Sequence, residues 1–327
     1  MNMEGKRMNR KLIAVMPEMT AKEEEAIRSI AEQYGIEASF YPTAEAAMPH
    51  VEDAEILFGF SPELASKAPN LKWYCTSSAG VDRFTDRSIY AAENVILTSS
   101  SGAYGTTIAE HVVMVILEVL RRQGEYTELV SRHIWKRGLP VRSIYRSRIT
   151  LLGTGDIGKS CAERLKGFKP ACMIGVNHSG NNPQNCFDRA VPVSQLEEVL
   201  PETDILILSL PKTDETYHLL KEQQLSLLPE GALVVNVGRG TVIDQKALEQ
   251  ELRKGRLYAA LDVFEEEPLK PEASIWDCPN LLITPHCSGD LSLASTVEET
   301  VRLFLENLKC YVEGKPLKRI IDFDKGY

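Results

Sequence analysis

The sequence predicts an α/β protein built from two doubly wound parallel sheets, one inserted into the other. Three observations predict it. Short apolar runs alternate with charged helical stretches from end to end, the pattern of parallel strands covered on both faces. A G-x-G-x-x-G spacing, Gly153, Gly155 and Gly158, follows an apolar run and opens a helical one. A long apolar helical stretch near residue 106 and a further helical stretch from residue 292 bracket that second set of strands.

The elements follow in order. "KLIAVMP" (11–17) reads as a buried strand and "AKEEEAIRSIAEQYG" (21–35) as a helix stopped at Gly35. "EASFYP" (37–42), "EILFGF" (55–60), "LKWYCTSS" (71–78) and "VILTSS" (95–100) are the next strands. "IAEHVVMVILEVLRR", beginning just after Thr106, is apolar on most sides and reads as a buried connector. A polar stretch runs to Arg148. Six strands then follow: "RITLLG", "ACMIGVN", "DILILSLP", "GALVVNVG", "LYAALDVF" and "LLITP". A helix from Ser292 to about Val312 is expected to return to the first sheet. The expected boundaries are 1–105 and 291–327 for the outer domain and 106–290 for the inserted one.

Composition bounds the function. The 327 residues suffice for two cores, and 43% hydrophobic with 25% charged residues is a globular profile. A net charge of −9 argues against nucleic acid, which wants a basic face. The one basic cluster, Arg142, Arg146 and Arg148, reads as a solvated connection. No signal-peptide pattern is read at the N-terminus, and no run reaches the ~18 apolar residues of a membrane span. Seven scattered cysteines without a C-x-x-C argue against disulfides and zinc, and for reduced thiols in a cytoplasm. No metal and no membrane partner are expected.

The glycine motif has the context that gives it meaning: strand, glycine loop, helix "DIGKSCAERLKGF", strand. Gly153 permits a tight turn, Gly155 lets backbone approach a pyrophosphate, and Gly158 lets helix and strand pack closely. The helix N-terminus, at Asp156 and Ile157, offers free N–H groups and a positive dipole end. The residue that reads the adenosine ribose is expected at the end of the second strand, where NAD sites carry Asp or Glu. Here that strand ends "GVNHSG", so Asn177, His178 and Ser179 take the place.

Further motifs complete a resemblance. "SSAGVDRF" (77–84), "IAEH" (108–111), "LLGTGDIG" (151–158), "LPKTDETYHLL" (210–220), "VVNVGRGTVID" (234–244), "LDVFEEEPL" (261–269) and "TPH" (284–286) occur in one order. Together they closely resemble the D-isomer-specific 2-hydroxyacid dehydrogenases over nearly the whole chain. The resemblance implies a Rossmann NAD(P)-binding domain inserted into a flavodoxin-like substrate domain, a nicotinamide cofactor in the cleft, and a homodimer. It implies Arg239, Glu267 and His286 as the catalytic set. It adds Pro211, Thr216, Val237, Gly238, Asp262 and Ser288 to the cofactor site, and Ala79, Gly80 and Val81 to the substrate carboxylate.

Physical chemistry supports the catalytic roles. Reducing a 2-keto acid needs a hydride and a proton on the keto oxygen, and histidine is the natural donor near neutral pH. A carboxylate on the other ring nitrogen, here Glu267, would fix the tautomer and favour the charged form. Arginine's planar fork suits a substrate carboxylate, so Arg239 is expected to hold it. His111 and His218 lie on helical stretches and read as structural, and His50 and His133 carry no signal. Cys287, beside His286, reads as a packing residue because hydride transfer needs no nucleophile.

The expected function is an NAD(P)-dependent oxidoreductase acting on a small 2-keto or D-2-hydroxy acid. Glyoxylate, hydroxypyruvate and phosphohydroxypyruvate are the candidates; the tail "IIDFDKGY" resembles phosphoglycerate-dehydrogenase-like members. Uncharged Asn177 would not repel a 2′-phosphate, and His178 and Ser179 could bind one, but no arginine stands in "NHSGNN". Both NAD and NADP are expected to serve, with a modest lean to NADP. The rival is an NAD(H)-sensing binding protein of the same fold. A formate-dehydrogenase-like enzyme is disfavoured, since those usually carry glutamine where Glu267 stands.

Overall fold

The computed structural model describes residues 10–182 and 185–327. They form two compact units. One holds the chain up to Tyr104 together with Leu291–Tyr327, and the other is Gly105–Asp290.

The first unit is a five-stranded sheet of β1 (Arg10–Val15), β2 (Ile36–Phe40), β3 (Ala54–Gly59), β4 (Trp73–Cys75) and β5 (Ile96–Thr98). Every pairing is parallel and the order is β2-β1-β3-β4-β5, the flavodoxin-like arrangement. Alternation along β1 sends Leu12 and Ala14 to one face and Ile13 and Val15 to the other. Both faces are covered, which is why the strand reads as one apolar run. Helices Ala21–Gln33 and Ala294–Val312 cover the Leu12 face. Phe304 of the returning helix stacks on Phe58 with ring centroids 4.0 Å apart. Truncating so buried an aromatic to alanine costs about 3–5 kcal/mol. The same helix places the Tyr311 hydroxyl 2.7 Å from Glu55, whose carboxylate also takes Arg10 at 2.8 Å.

The second unit carries β6 (Arg148–Leu152), β7 (Cys172–Asn177), β8 (Arg189–Pro192), β9 (Ile205–Leu208), β10 (Leu233–Asn236), β11 (Tyr258–Leu261) and β12 (Leu281–Ile283). Their order is β12-β11-β10-β9-β6-β7-β8, all parallel. This is the Rossmann order with one strand added beyond the sixth. Sequence reading finds six of these strands and misses β8. Its four residues RAVP are half-exposed at the sheet edge and include a proline, so they lack a buried strand's apolar run.

The apolar stretch after residue 104 is helix Gly105–Leu120, lying beside helix Asp156–Leu165 and reaching β10 and β11. It stops where Arg122 turns left-handed, at φ 57°. A second helix, Gln123–Ser131, follows and buries no residue. Among the described residues no helix is long and apolar enough to cross a membrane.

Candidate active site and dinucleotide site

In a parallel sheet all strands end on the same edge, and the candidate residues of the second unit gather at the carboxyl ends of β6, β7, β10, β11 and β12. The glycine loop leaves β6. Gly153 has φ +104°, and a Cβ there would sit 2.8 Å from the Ser209 hydroxyl. A Cβ on Gly158 would lie 2.1 Å from the Gly153 carbonyl oxygen, so helix Asp156–Leu165 can approach the loop only with glycine there. Above Gly155 nothing lies within 4 Å of such a Cβ, which leaves bare backbone facing open space at the helix N-terminus. Beside the loop a cavity of about 350 Å³ opens between Thr154, Asn177, His178, Ser179, Asn181 and Phe187. Bare loop, helix N-terminus and polar cavity together fit a dinucleotide's pyrophosphate and adenosine.

The other predicted cofactor residues occupy neighbouring loops. Asp156 and half-buried Ile157 form the first helical turn, with the Asp156 carboxylate 2.6 Å from where a Gly105 Cβ would stand. After β9, the Thr216 hydroxyl bonds the Pro211 carbonyl at 2.7 Å and closes a tight turn. Val237 is buried, and its N–H donates to Leu208. The Gly238 N–H donates to the Asn236 side chain at 3.1 Å, and that side chain donates back to the Arg239 carbonyl at 2.9 Å. Buried Asn236, absent from the sequence reading, thus shapes the turn that presents Arg239.

Arg239, Glu267 and His286 follow three adjacent strands. Arg239 comes after β10 and donates through Nη1 to the Gly238 carbonyl at 2.8 Å. Glu267 comes after β11. Its Oε1 accepts the Phe264 N–H at 2.9 Å, and its Oε2 lies 2.6 Å from His286 Nδ1. His286 follows β12 with φ +51°, a left-handed conformation unusual outside glycine. Its N–H donates to the Asp262 carbonyl at 2.8 Å, which holds the strained turn.

The electrostatics follow from these contacts. The Glu267 hydrogen bond raises the His286 pKa above 6.5, against the desolvation that lowers it. Burial pushes the Glu267 carboxyl up, but the bond from His286 and the Phe264 N–H outweigh it, and the net shift is down. The positive charge of Arg239 acts on both, favouring ionised Glu267 and neutral His286. Glu267 therefore orients the ring through Nδ1 and leaves Nε2 to exchange a proton.

Two supports were not legible as such in the sequence. Buried Asp262 accepts the Thr284 hydroxyl at 2.6 Å and the N–H groups of Cys287 and Ser288 at 2.9 and 3.0 Å. Burial opposes its ionisation, yet these donors carry its pKa below the usual carboxylate value. Because Thr284 donates to Asp262, it accepts from His111 Nε2 at 3.2 Å. His111, read as structural, braces the segment that ends in His286. His218 pairs with Glu265 at 2.7 Å, tying the loop after β9 to the glutamate run that contains Glu267. No periodicity or spacing encodes either contact.

Ala79, Gly80 and Val81 belong to the other unit. There Ser78 donates to the Gly80 carbonyl at 2.6 Å, Ala79 and Gly80 are half-exposed, and Val81 is buried.

Residues 113–288 match the family model described as D-isomer specific 2-hydroxyacid dehydrogenase, NAD binding domain. The chain belongs to the D-isomer specific 2-hydroxyacid dehydrogenase family. It is thus an NAD(P)-dependent oxidoreductase by family. A glyoxylate/hydroxypyruvate reductase B of Pectobacterium atrosepticum is 33% identical over 225 residues, 67% of this chain and 69% of that protein. A crystal structure of a D-isomer specific 2-hydroxyacid dehydrogenase family protein from Aeromonas salmonicida superposes with a TM-score of 0.86 at 30% identity. It covers 97% of this chain and 100% of that one. The NADPH-dependent glyoxylate/hydroxypyruvate reductase of Sinorhizobium meliloti, solved with NADP and sulfate, gives 0.81 at 25% identity, over 97% and 100%. For this 2-hydroxyacid dehydrogenase, the bare glycine loop and its cavity are the candidate site for the family's dinucleotide.

Proposed function

We propose that this dehydrogenase reduces a small 2-keto acid of the glyoxylate or hydroxypyruvate class to the D-2-hydroxy acid. His286 is the proton donor, Glu267 its orienting base and Arg239 the carboxylate clamp. The observation that carries the reading is the 2.6 Å Glu267–His286 bond, with Arg239 close enough to act on both groups. A nicotinamide dinucleotide held at the glycine loop would supply the hydride for the keto carbon. His286 Nε2 then delivers the proton to the keto oxygen, and the resulting neutral imidazole is reprotonated from solvent. The Arg239 guanidinium holds the substrate carboxylate and draws electron density from the ketone.

NADP is favoured modestly over NAD, because no acidic side chain lines the cavity beside Asn177 among the described residues. The two relatives described as glyoxylate/hydroxypyruvate reductases support the substrate class. The test is loss of NADPH and NADH absorbance with glyoxylate, hydroxypyruvate and phosphohydroxypyruvate. Turnover with one of the first two is expected. Tight dinucleotide binding without turnover on any 2-keto acid would replace this reading with a nucleotide-sensing protein.

A further inference from the structure

We infer that His111, on helix Gly105–Leu120, is a positioning residue for the proposed proton donor: through Thr284 and Asp262 it holds the turn that carries His286. The inference rests on the reductase reading above and deepens it.

That turn is organised around one residue. Asp262 directly follows β11 and is buried. Its Oδ1 accepts the Thr284 hydroxyl at 2.6 Å and the Cys287 N–H at 2.9 Å, and its Oδ2 accepts the Ser288 N–H at 3.0 Å. Its backbone carbonyl accepts the His286 N–H at 2.8 Å. Four donors from residues 284–288 thus converge on Asp262. The His286 ring is not among them, and it reaches Glu267 instead. The left-handed φ of +51° at His286 persists because these neighbours over-determine it. The direction of the ring is therefore as firm as the bonds that hold the turn.

His111 adds a hold from outside the sheet. Helix Gly105–Leu120 packs against β11. Ile108, one turn before His111, and Val115, one turn after, are buried, so helical spacing turns His111 inward with them. The ring is half-buried, and its Nε2 lies 3.2 Å from the Thr284 hydroxyl.

Counting hydrogens gives this bond a direction. Burial opposes ionisation of Asp262, but its donors prevail, so the carboxylate is charged near neutrality and can only accept. Thr284 has a single hydroxyl hydrogen and gives it to Asp262. His111 must therefore donate, with its hydrogen on Nε2, while Thr284 accepts through a lone pair. Burial also favours the neutral ring, lowering the His111 pKa against the pull of Asp262 and Glu118. The chain from His111 to Thr284 to Asp262 runs one way, and each link polarises the next. Without the first donor the Thr284 lone pair is left unpaired, and the turn is free to relax away from Glu267.

The test separates reach from polarity. Glutamine sets an amide nitrogen near the place of Nε2, whereas asparagine stops near Nδ1. With glyoxylate and NADPH, H111Q should keep kcat near the wild-type value. H111N should lower kcat about fivefold, the order one net hydrogen bond is worth, and leave NADPH affinity unchanged. T284V conserves volume, removes the middle link and should lower kcat by itself; adding H111N to it should cost nothing further. A second measurement needs no turnover. The Glu267 bond is the largest cause raising the His286 pKa, so NMR titration of that ring should give a lower value in H111N and in T284V, and an unchanged one in H111Q. The same spectra should show His111 carrying its hydrogen on Nε2.

An unchanged kcat in H111N or T284V overturns the inference whatever the thermal stability, as does an unchanged His286 pKa. Equal losses in H111Q and H111N, additive losses in the double variant, or a His111 hydrogen on Nδ1 alone overturn it too. Glyoxylate turnover that H111N leaves unaltered sinks this inference and spares the reductase reading. A wild type that turns over no 2-keto acid sinks that reading, and the His286 titration still decides whether His111 positions the ring.

Discussion

Glu267 Oε2 and His286 Nδ1 lie 2.6 Å apart, although the two residues leave different strands of the sheet. This bond ties the ring to one orientation and places its exchangeable proton on the opposite nitrogen. Replacing His286 by asparagine removes that proton. Turnover should fall by ~10²–10⁴-fold, the usual contribution of a positioned acid or base, while NADPH affinity holds. Steady-state kinetics and a fluorescence titration check both halves. A variant turning over at the normal rate would take His286 out of the reaction.

The same bond sets a pH profile. In the proposed mechanism reduction uses the imidazolium, and the His286 pKa is raised by Glu267, so activity should persist above 6.5 and fall as pH climbs through the raised value. Oxidation of the hydroxy acid uses the neutral ring and should rise there instead. Glu267→Gln removes the largest raising cause and should move the reductive fall to lower pH. The linkage to stability has two sides. The His286 contribution is complete below its unfolded value and lost as pH rises through the folded one; the Glu267 contribution is complete above its unfolded value and lost as pH falls through its depressed one. The pair stabilises most fully between about 4.5 and 6.5. A reductive limb unmoved by Glu267→Gln would show that another group controls the proton.

Arg239→Lys keeps a charge and loses the fork. The kcat/KM for the keto acid should fall by at least about tenfold, because a bidentate hold is replaced by a point charge. NADPH affinity should stay within about twofold, since the guanidinium is assigned to the substrate. Equal losses for substrate and cofactor would mean that the residue shapes the turn with Asn236 rather than clamping a carboxylate.

Asn177→Asp tests the loop after β7. A carboxylate can still accept from Ser179 and Gly180, but it meets the Asn181 carbonyl without a donor and adds negative charge at the cavity. The kcat/KM ratio of NADPH to NADH should drop, and the loop should become more open to proteolysis. An unchanged ratio would place the 2′-hydroxyl away from this strand end.

Past the helix Gly105–Leu120 the chain exposes Val130, Trp135, Val141 and Tyr145, with Trp135 93% exposed. A homodimer, which the resemblance to the family implies, is the expectation tested at this exposed stretch. Trp135→Glu should shift the protein toward monomer in sedimentation at micromolar concentration. A wild type that sediments as a monomer would refute the assignment.

Much of the architecture was legible in the chain because parallel strands are buried on both faces. Segments such as "DILILSLP" and "GALVVNVG" announce themselves by their apolar runs, and Gly153 and Gly158 mark a loop where helix and strand closely approach. The edge strand Arg189–Pro192 was not legible, because half-exposed residues need no apolar run. Within the site, the motifs single out Arg239, Glu267 and His286, but three consecutive glutamates offer the same chemistry to a histidine. Only the fold gives Glu267 to His286 and Glu265 to His218. Asn177 stands where a ribose ligand is expected, and only the folded loop shows its amide spent on four neighbours. The contact of His111 with Thr284 spans 173 positions. Local pattern records which residues are buried, since burial follows from composition and period; which polar atoms meet is settled by how distant loops converge at the carboxyl edge of the sheet.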